Sequence, residues 1–569
     1  MKKGRISAGV ATIAALALAL GGCNANPTTP TTTPASPGTS ASNPATTAAS
    51  GGGTLTILTS QAAINLDPAK SWNLANTTLG LLYRRLTQWH IPADGSAPSV
   101  VPDLATTIGT PSEGGKTWTY TLKDGLKFSD GSPITSADVK YAIERTYTPE
   151  LSGGIGYHKT LLAGADGYKG PFDGAELASI ETPDAKTIVF HLTAPYGDWP
   201  WIVSTTSTAP VPAGKAPAGT FAQNPITSGP YKVDSYQAGG QLVLSRNPNW
   251  DKATDTERGG LPDKIVFVQS QDRSVEAQKL MANAPADQNS FGADFVPPAQ
   301  LAQVQADPNA KDRMVVSHAG ALAYLAINMK SPKLADLKIR QALNYAVDRQ
   351  SFIIASGGTI AADPATTLIT PGIAGYQPYD LYPAGTSGDV AKAKDLLAQA
   401  GVTSLDLTLI TNNDATSVAQ AEALQQAYKR VGINLTLVPQ DSDTWTANAT
   451  GDDATKYDLS LSSWQPDYPS AAGNIQPLYD SSQIGGQNYN ISRYSSPTVD
   501  AMIAQALAST DAATAQGIWG QADKAIMADA PVVPLIYTKN CFLHGSGVTN
   551  FYIGGFPAYP VYYAVGVSA

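Results

Sequence analysis

Thr117-Trp-Thr-Tyr-Thr-Leu122 runs into Lys123-Asp-Gly125, then Phe128-Ser-Asp-Gly131-Ser-Pro133-Ile-Thr135, then Ser136-Ala-Asp-Val-Lys-Tyr-Ala-Ile-Glu-Arg145. The first segment alternates, as a strand buried on one face must, because successive side chains point to opposite sides. Lys123-Asp124-Gly125 and Phe128-Ser129-Asp130-Gly131 carry turn chemistry: glycine supplies left-handed backbone and aspartate bonds its own main chain. The last segment spaces apolar residues three and four apart, and Thr135 stands where an N-cap belongs. Strand, turns and helix in one short run predict a mixed α and β fold.

Outward from this stretch the same mixture continues. Residues 54–59 (TLTILT) alternate like an opening strand, and 186–192, 241–245 and 264–268 read as further strands. Residues 324–328 (YLAIN) read as a buried strand, 337–352 as a helix, and 390–400 as a helix stopped by Gly401. A strand at 405–410, a helix at 417–431 and a strand at 433–438 form a β-α-β unit, which implies a locally parallel sheet. Helices at 497–506 and 513–528 precede a late strand at 532–537. There is no internal repeat.

The N-terminus is of another kind. Lys2, Lys3 and Arg5 precede an apolar run from Ala8 to Leu20, followed by Gly21-Gly22-Cys23. This is the order of a secretory signal peptide, and the run is short for a membrane span of roughly 17–25 residues. Cysteine directly after Leu-Gly-Gly resembles the lipobox of bacterial lipoproteins, which implies a leader at 1–22 and acylation of Cys23. Residues 23–53 are nearly all Pro, Thr, Ser, Ala, Gly and Asn, and no charge occurs between Arg5 and Asp67. Such a stretch has nothing with which to build a core and reads as a disordered tether.

Composition bounds the remainder. With 569 residues, 43% hydrophobic and 15% charged, the chain suits a large globular body of two or three domains. Loss of the leader's three cations takes the net charge from −9 to −12, and an acidic body without a basic cluster argues against nucleic acid as a partner. Cys541 is the only other cysteine, so no intrachain disulfide is expected once Cys23 is acylated.

Five blocks in order carry a resemblance. Leu104, Gly125, Phe128 to Gly131, Pro133, Thr135, Asp138, Val139 and Arg145 form the first; Ser228-Gly-Pro-Tyr-Lys232 with Leu242 to Trp250 the second; Ile339 to Arg349 the third. Tyr457-Asp-Leu459, Trp464 and Asp467-Tyr-Pro469 make the fourth, and Tyr494-Ser-Ser-Pro497 with Val499-Asp500 the fifth. From about Leu55 to its end the chain resembles the family 5 extracellular solute-binding proteins, the oligopeptide- and dipeptide-binding group serving ABC importers. The residues themselves read structurally: Phe128 to Gly131 as a tight turn, and Arg145, Arg340 and Asp348 as holders of helix ends and domain contacts.

The resemblance implies an α/β, two-lobed periplasmic-binding-protein-like fold of type II, large and cluster-C-like, with an extra subdomain. Lobe I is expected from 54–86, 216–317 and 535–569, the subdomain from 87–215, and lobe II from 318–534. It implies a monomeric, lipid-anchored receptor on the extracytoplasmic face of a bacterial membrane. That receptor would capture short peptides and deliver them to an ABC permease and ATPase. In peptide-binding members an aspartate in the position of Asp467 pairs with the α-ammonium group. Trp464 and Tyr468 flank it, and ring faces attract cations. Trp72 and Asn73 fall where members often line the cleft, and Asn488, within Gln487-Asn-Tyr-Asn490, could supply amide contacts. The acidic residue that many members carry soon after Asp467 is replaced here by Pro-Ser-Ala-Ala-Gly. The same scaffold serves relatives that carry nickel complexes, oligosaccharides, opines or glutathione, so a non-peptide solute is the alternative.

An enzyme finds little support. His90, His158, His191, His318 and His544 are scattered, with no metal-ligand spacing, and no Gly-x-Ser-x-Gly elbow occurs. Gly153-Gly-Ile-Gly-Tyr-His-Lys159-Thr160 superficially resembles a phosphate-binding loop, but His158 stands where the second glycine must be. No catalytic residue, metal or cofactor is expected, and a secreted hydrolase is the remote rival.

Overall fold

The computed structural model describes residues 51–151 and 153–568. The leader, Cys23 and the tether up to residue 50 lie outside them. The body begins just ahead of the first strand, where the Gly52 N–H donates to the Leu261 carbonyl at 2.8 Å.

Two sheets organise the body. The first has five strands in the order Ser290–Gly292, Thr54–Leu58, Lys264–Val268, Gln241–Arg246 and Tyr231–Tyr236. Its first three strands pair in parallel, its last three antiparallel. The second has six strands in the order Ala362–Pro364, Val532–Thr538, Leu322–Ile327, Leu459–Trp464, Leu405–Asn412 and Ile433–Gln440. The β-α-β reading holds: Leu405–Asn412 lies parallel to Ile433–Gln440, and the helix Ala415–Lys429 joins them. That helix starts two residues before the expected 417 because Asp414 caps it, accepting from the Thr416 and Ser417 N–H groups. Leu322–Ile327 is buried on both faces, as a central strand between two apolar layers must be.

The helix expected over 337–352 is two helices, Leu337–Ala346 and Arg349–Ala355. Val347 turns to extended backbone and Asp348 caps the second helix by accepting from the Ser351 N–H at 3.0 Å. An apolar pattern that continues across the break concealed it.

A third sheet, of four antiparallel strands (Thr110–Ser112, Thr117–Thr121, Thr187–His191 and Ile180–Glu181), stands within the subdomain. Its Trp118 and Phe190 share one continuous core with Leu55 and Phe267 of the first sheet. Polar clamps fix the same junction. Arg145, on the helix Ser136–Arg145, grips both oxygens of Asp67 at 3.2 and 2.8 Å. Asp103 accepts from Arg84 at 2.7 Å and from Arg258 at 2.9 Å, all three fully buried.

The turn from Phe128 to Gly131 serves this docking. Gly131 has φ +86° and its N–H donates to the Phe128 carbonyl, while Ser129 exchanges bonds with Thr227 just ahead of Ser228-Gly229. A Cβ on Gly229 would stand 2.6 Å from the Leu81 carbonyl oxygen, which is why that position has no side chain.

The chain passes between the two sheets twice, side by side. The strand pair Met314–Val316 and Cys541–Leu543 leads into Ser317 and Asn540, which bond each other through main chain and the Ser317 hydroxyl. Val532–Thr538 runs unbroken in the second sheet, so the return crossing falls at Lys539 and Asn540. Two adjacent crossings therefore join the parts of the body built on the two sheets.

Candidate functional site

The cleft lies where the lobes face each other, and it has two chambers. The smaller, about 300 Å³, is walled by the first lobe: Thr59, Gln61, Phe267, Asp294, Tyr559 and Tyr562. The larger, about 530 Å³, lies between the subdomain's Gly154–Tyr157 and the second lobe's Trp445, Trp464, Asp467 and Tyr489. Trp72 and Gln465 line both chambers and join them.

Asp467 enters from the turn after the strand Leu459–Trp464. Its Oδ2 accepts from the Tyr157 hydroxyl at 2.8 Å, a bond between lobes. Burial raises its pKa above the usual carboxylate range, and the Tyr157 bond works against that rise. The result is a partly desolvated carboxylate that an arriving cation would stabilise in its charged form.

Trp464 is oriented from behind, its indole N–H donating to the Gly473 carbonyl at 2.7 Å, and its ring meets Tyr489 at 5.1 Å. Trp72 is 68% exposed and free to cover a ligand. Asn73 lines the smaller chamber while its amide is held by the Ser71 hydroxyl at 2.9 Å. Tyr468 stands behind the wall: its buried ring meets Tyr157 edge-on at 5.3 Å and its hydroxyl bonds that of Tyr196. Asn488 lies outside the lining of both chambers, and the adjacent Tyr489 is in it. The structure thus brings together Asp467, Trp464 and Trp72, with Asn73 in the next chamber.

Residues outside the sequence reading complete the walls. Tyr157 comes from the glycine-rich segment 153–160. There Gly154 has φ +70°, and a Cβ on it would stand 3.0 Å from the Ser71 carbonyl oxygen. Gly154 therefore serves close packing of a cleft wall. In the smaller chamber Asp294 accepts from the Ser60 N–H and hydroxyl and lies 3.3 Å from the Arg273 Nε. Behind it, burial and the neighbouring Asp294 push Glu276 up to about 8. No cluster of His, Cys, Asp and Glu able to hold a metal occurs among the described residues. No helix there is long and apolar enough to cross a membrane.

Two lobes on a double crossover, enclosing a polar and aromatic cleft, define a periplasmic-type solute-binding protein. The chain belongs to the family described as bacterial extracellular solute-binding proteins, family 5 Middle, whose model matches residues 99–486. That family is a non-enzymatic, extracytoplasmic one, as the sequence reading expects. A curated relative, the glutathione-binding protein GsiB of Salmonella paratyphi A, is 26% identical over 454 residues, covering 78% of this chain and 82% of the relative. Among solved structures, the clavulanic acid biosynthesis oligopeptide binding protein 2 superposes with a TM-score of 0.84 at 31% identity, covering 91% of this chain and 96% of the other. The DppA periplasmic binding protein of Helicobacter pylori, solved with the peptide STSA, has a TM-score of 0.67 at 20% identity. It covers 91% of this chain and 99% of its own, and shows the shared fold.

Proposed function

We propose that this protein is the peptide receptor of an ABC importer, tethered to the membrane through acylated Cys23. In this reading the interlobe cleft captures short peptides, Asp467 receives their α-ammonium group, and closure about the Ser317–Asn540 crossing presents them to the permease. The observation that carries the reading is Asp467 itself. It is a partly desolvated carboxylate on the cleft wall, and among the described residues no cation lines its chamber and its one side-chain hydrogen-bond partner is the neutral Tyr157 hydroxyl. The names of matched structures, an oligopeptide-binding protein and an ABC transporter-associated protein holding a peptide, support it. Trp72, Trp464 and Tyr489 would cover side chains without choosing among them, and strand-like main-chain bonding would supply affinity independent of sequence.

The test is mass spectrometry of ligands released from the purified protein and from Asp467→Ala. Peptides on the parent and none on the folded variant are the expected outcome. Peptides retained equally by both would refute the role of Asp467. A sugar or a metal complex would replace the substrate while leaving a receptor.

A further inference from the structure

The cleft walls carry acids and no base. Asp294 stands in one chamber and Asp467 in the other, and among the described residues no Lys, Arg or His lines either chamber. Cations in adjoining segments already have partners, one of them the chamber's own Asp294. Arg273 Nε faces Asp294 at 3.3 Å, Lys70 Nζ donates to the Glu150 carbonyl, and Lys159 Nζ stands over the Tyr147 ring. A free peptide brings two charges into such a cleft. Its ammonium finds Asp467, but its carboxylate finds only neutral groups such as Gln61, Gln465, Tyr559 and Ser462. These donors satisfy a carbonyl or an amide well, whereas an ionised carboxylate stripped of water needs a cation to offset its lost hydration.

We propose that the cleft selects its ligand by the cationic end alone, seating an ammonium on Asp467 and favouring ligands whose other groups are neutral or cationic, so that peptide amides and basic peptides are taken and the dicarboxylate glutathione is refused. This deepens the peptide reading and rests on the ammonium role of Asp467. It separates this chain from the function named for its glutathione-binding relatives, since glutathione presents two carboxylates to chambers that no cation among the described residues lines.

The experiment offers the full-length protein three equimolar mixtures of random-sequence tetrapeptides: free acids, C-terminal amides and N-acetyl peptides. Glutathione is offered separately. Retained ligand is counted by mass spectrometry after gel filtration. Amides retained at least as well as free acids, Lys- and Arg-containing peptides enriched, and no glutathione retained are the expected results. Amides retained tenfold less than free acids, or glutathione retained, would overturn the charge preference. If N-acetyl peptides were still excluded in that case, the role of Asp467 would survive. N-acetyl peptides retained like the free acids would remove that role and this inference with it. Gln465→Arg supplies the missing cation where the chambers meet, and should raise the ratio of free acid to amide several-fold. A folded Gln465→Arg protein with an unmoved ratio counts against the proposal.

Discussion

Asp198 tests the electrostatics of the contact between lobes. It belongs to the subdomain, and its Oδ2 accepts from the hydroxyl of Ser470 in the second lobe. Beside it Tyr196 bonds Tyr468, and the Gly197 N–H donates to the Leu507 carbonyl at 2.6 Å. A Cβ on Gly197 would overlap the Ser509 carbonyl oxygen, so the backbones meet directly here. Burial pushes Asp198 up to about 6, and the Ser470 bond only partly opposes this. A carboxyl whose pKa is higher folded than unfolded stabilises the fold fully below its unfolded value near 4, and that contribution is lost as pH rises through 6. Two pKa units correspond to about 3 kcal/mol, and because the side chain keeps some exposure to water, screening brings this to roughly 1–2 kcal/mol at neutral pH. Asp198→Asn keeps the shape and the acceptor for Ser470 but never ionises. With an unfolding entropy near 2 cal/mol/K per residue, a body of this size melting as one unit loses about 1 kcal/mol per degree. The expected result is therefore a Tm about 1–2 °C above the parent's at pH 7.5, shrinking to nothing at pH 4, read by scanning calorimetry from pH 4 to 8. If the lobes melt separately the shift is larger in the affected transition. A variant less stable than the parent at pH 7.5, or a difference independent of pH, would refute the reasoning.

Tyr157→Phe removes the hydroxyl that helps keep Asp467 ionised, so the Asp467 pKa should rise further; the affinity of a co-purified peptide, titrated calorimetrically against pH, should then fall away at higher pH than in the parent, and an unmoved midpoint would contradict the assignment. Asp103→Ala leaves Arg84 and Arg258 buried with only Asp255 between them, and should cost about 3–5 kcal/mol, seen as a large loss of Tm or of soluble yield. The parent should itself weaken in acid as this carboxylate is protonated, because Arg258 and Arg84 hold its pKa far below the unfolded value: its stabilisation is present above pH 4 and is lost as pH falls.

Much of this fold was legible because its signals are local. The β-α-β unit at 405–440 announces itself by period, and Asp138 closes the helix start at Thr135 by accepting from its N–H at 2.8 Å, as turn and cap chemistry predict. The helix break at Val347 escaped notice because both halves keep one apolar face. Of the candidate residues, Trp464 and Asp467 lie three apart and meet the same chamber, where Trp72 from a distant segment joins them. Within Gln487 to Asn490 the reading chose Asn488, while Tyr489 faces the chamber, and no period in an irregular loop decides between neighbours. Tyr157 carried a usable signal. Among its neighbouring glycines Gly154 brings backbone close to Ala69–Ser71, and such an approach marks a wall. Asp294 and Tyr559 carried none, since each reaches the cleft through folding of segments more than 200 residues from the opening strand. Charge is the property most affected by this. A motif can reveal the acid that binds an ammonium, but whether a base stands opposite depends on every segment that meets at the cleft. Membership of a peptide- or glutathione-binding group therefore does not settle which charges this cleft accepts; the balance of its walls does, and the one acid that lines each chamber, Asp294 paired with Arg273 and Asp467 with the Tyr157 hydroxyl, sets that balance.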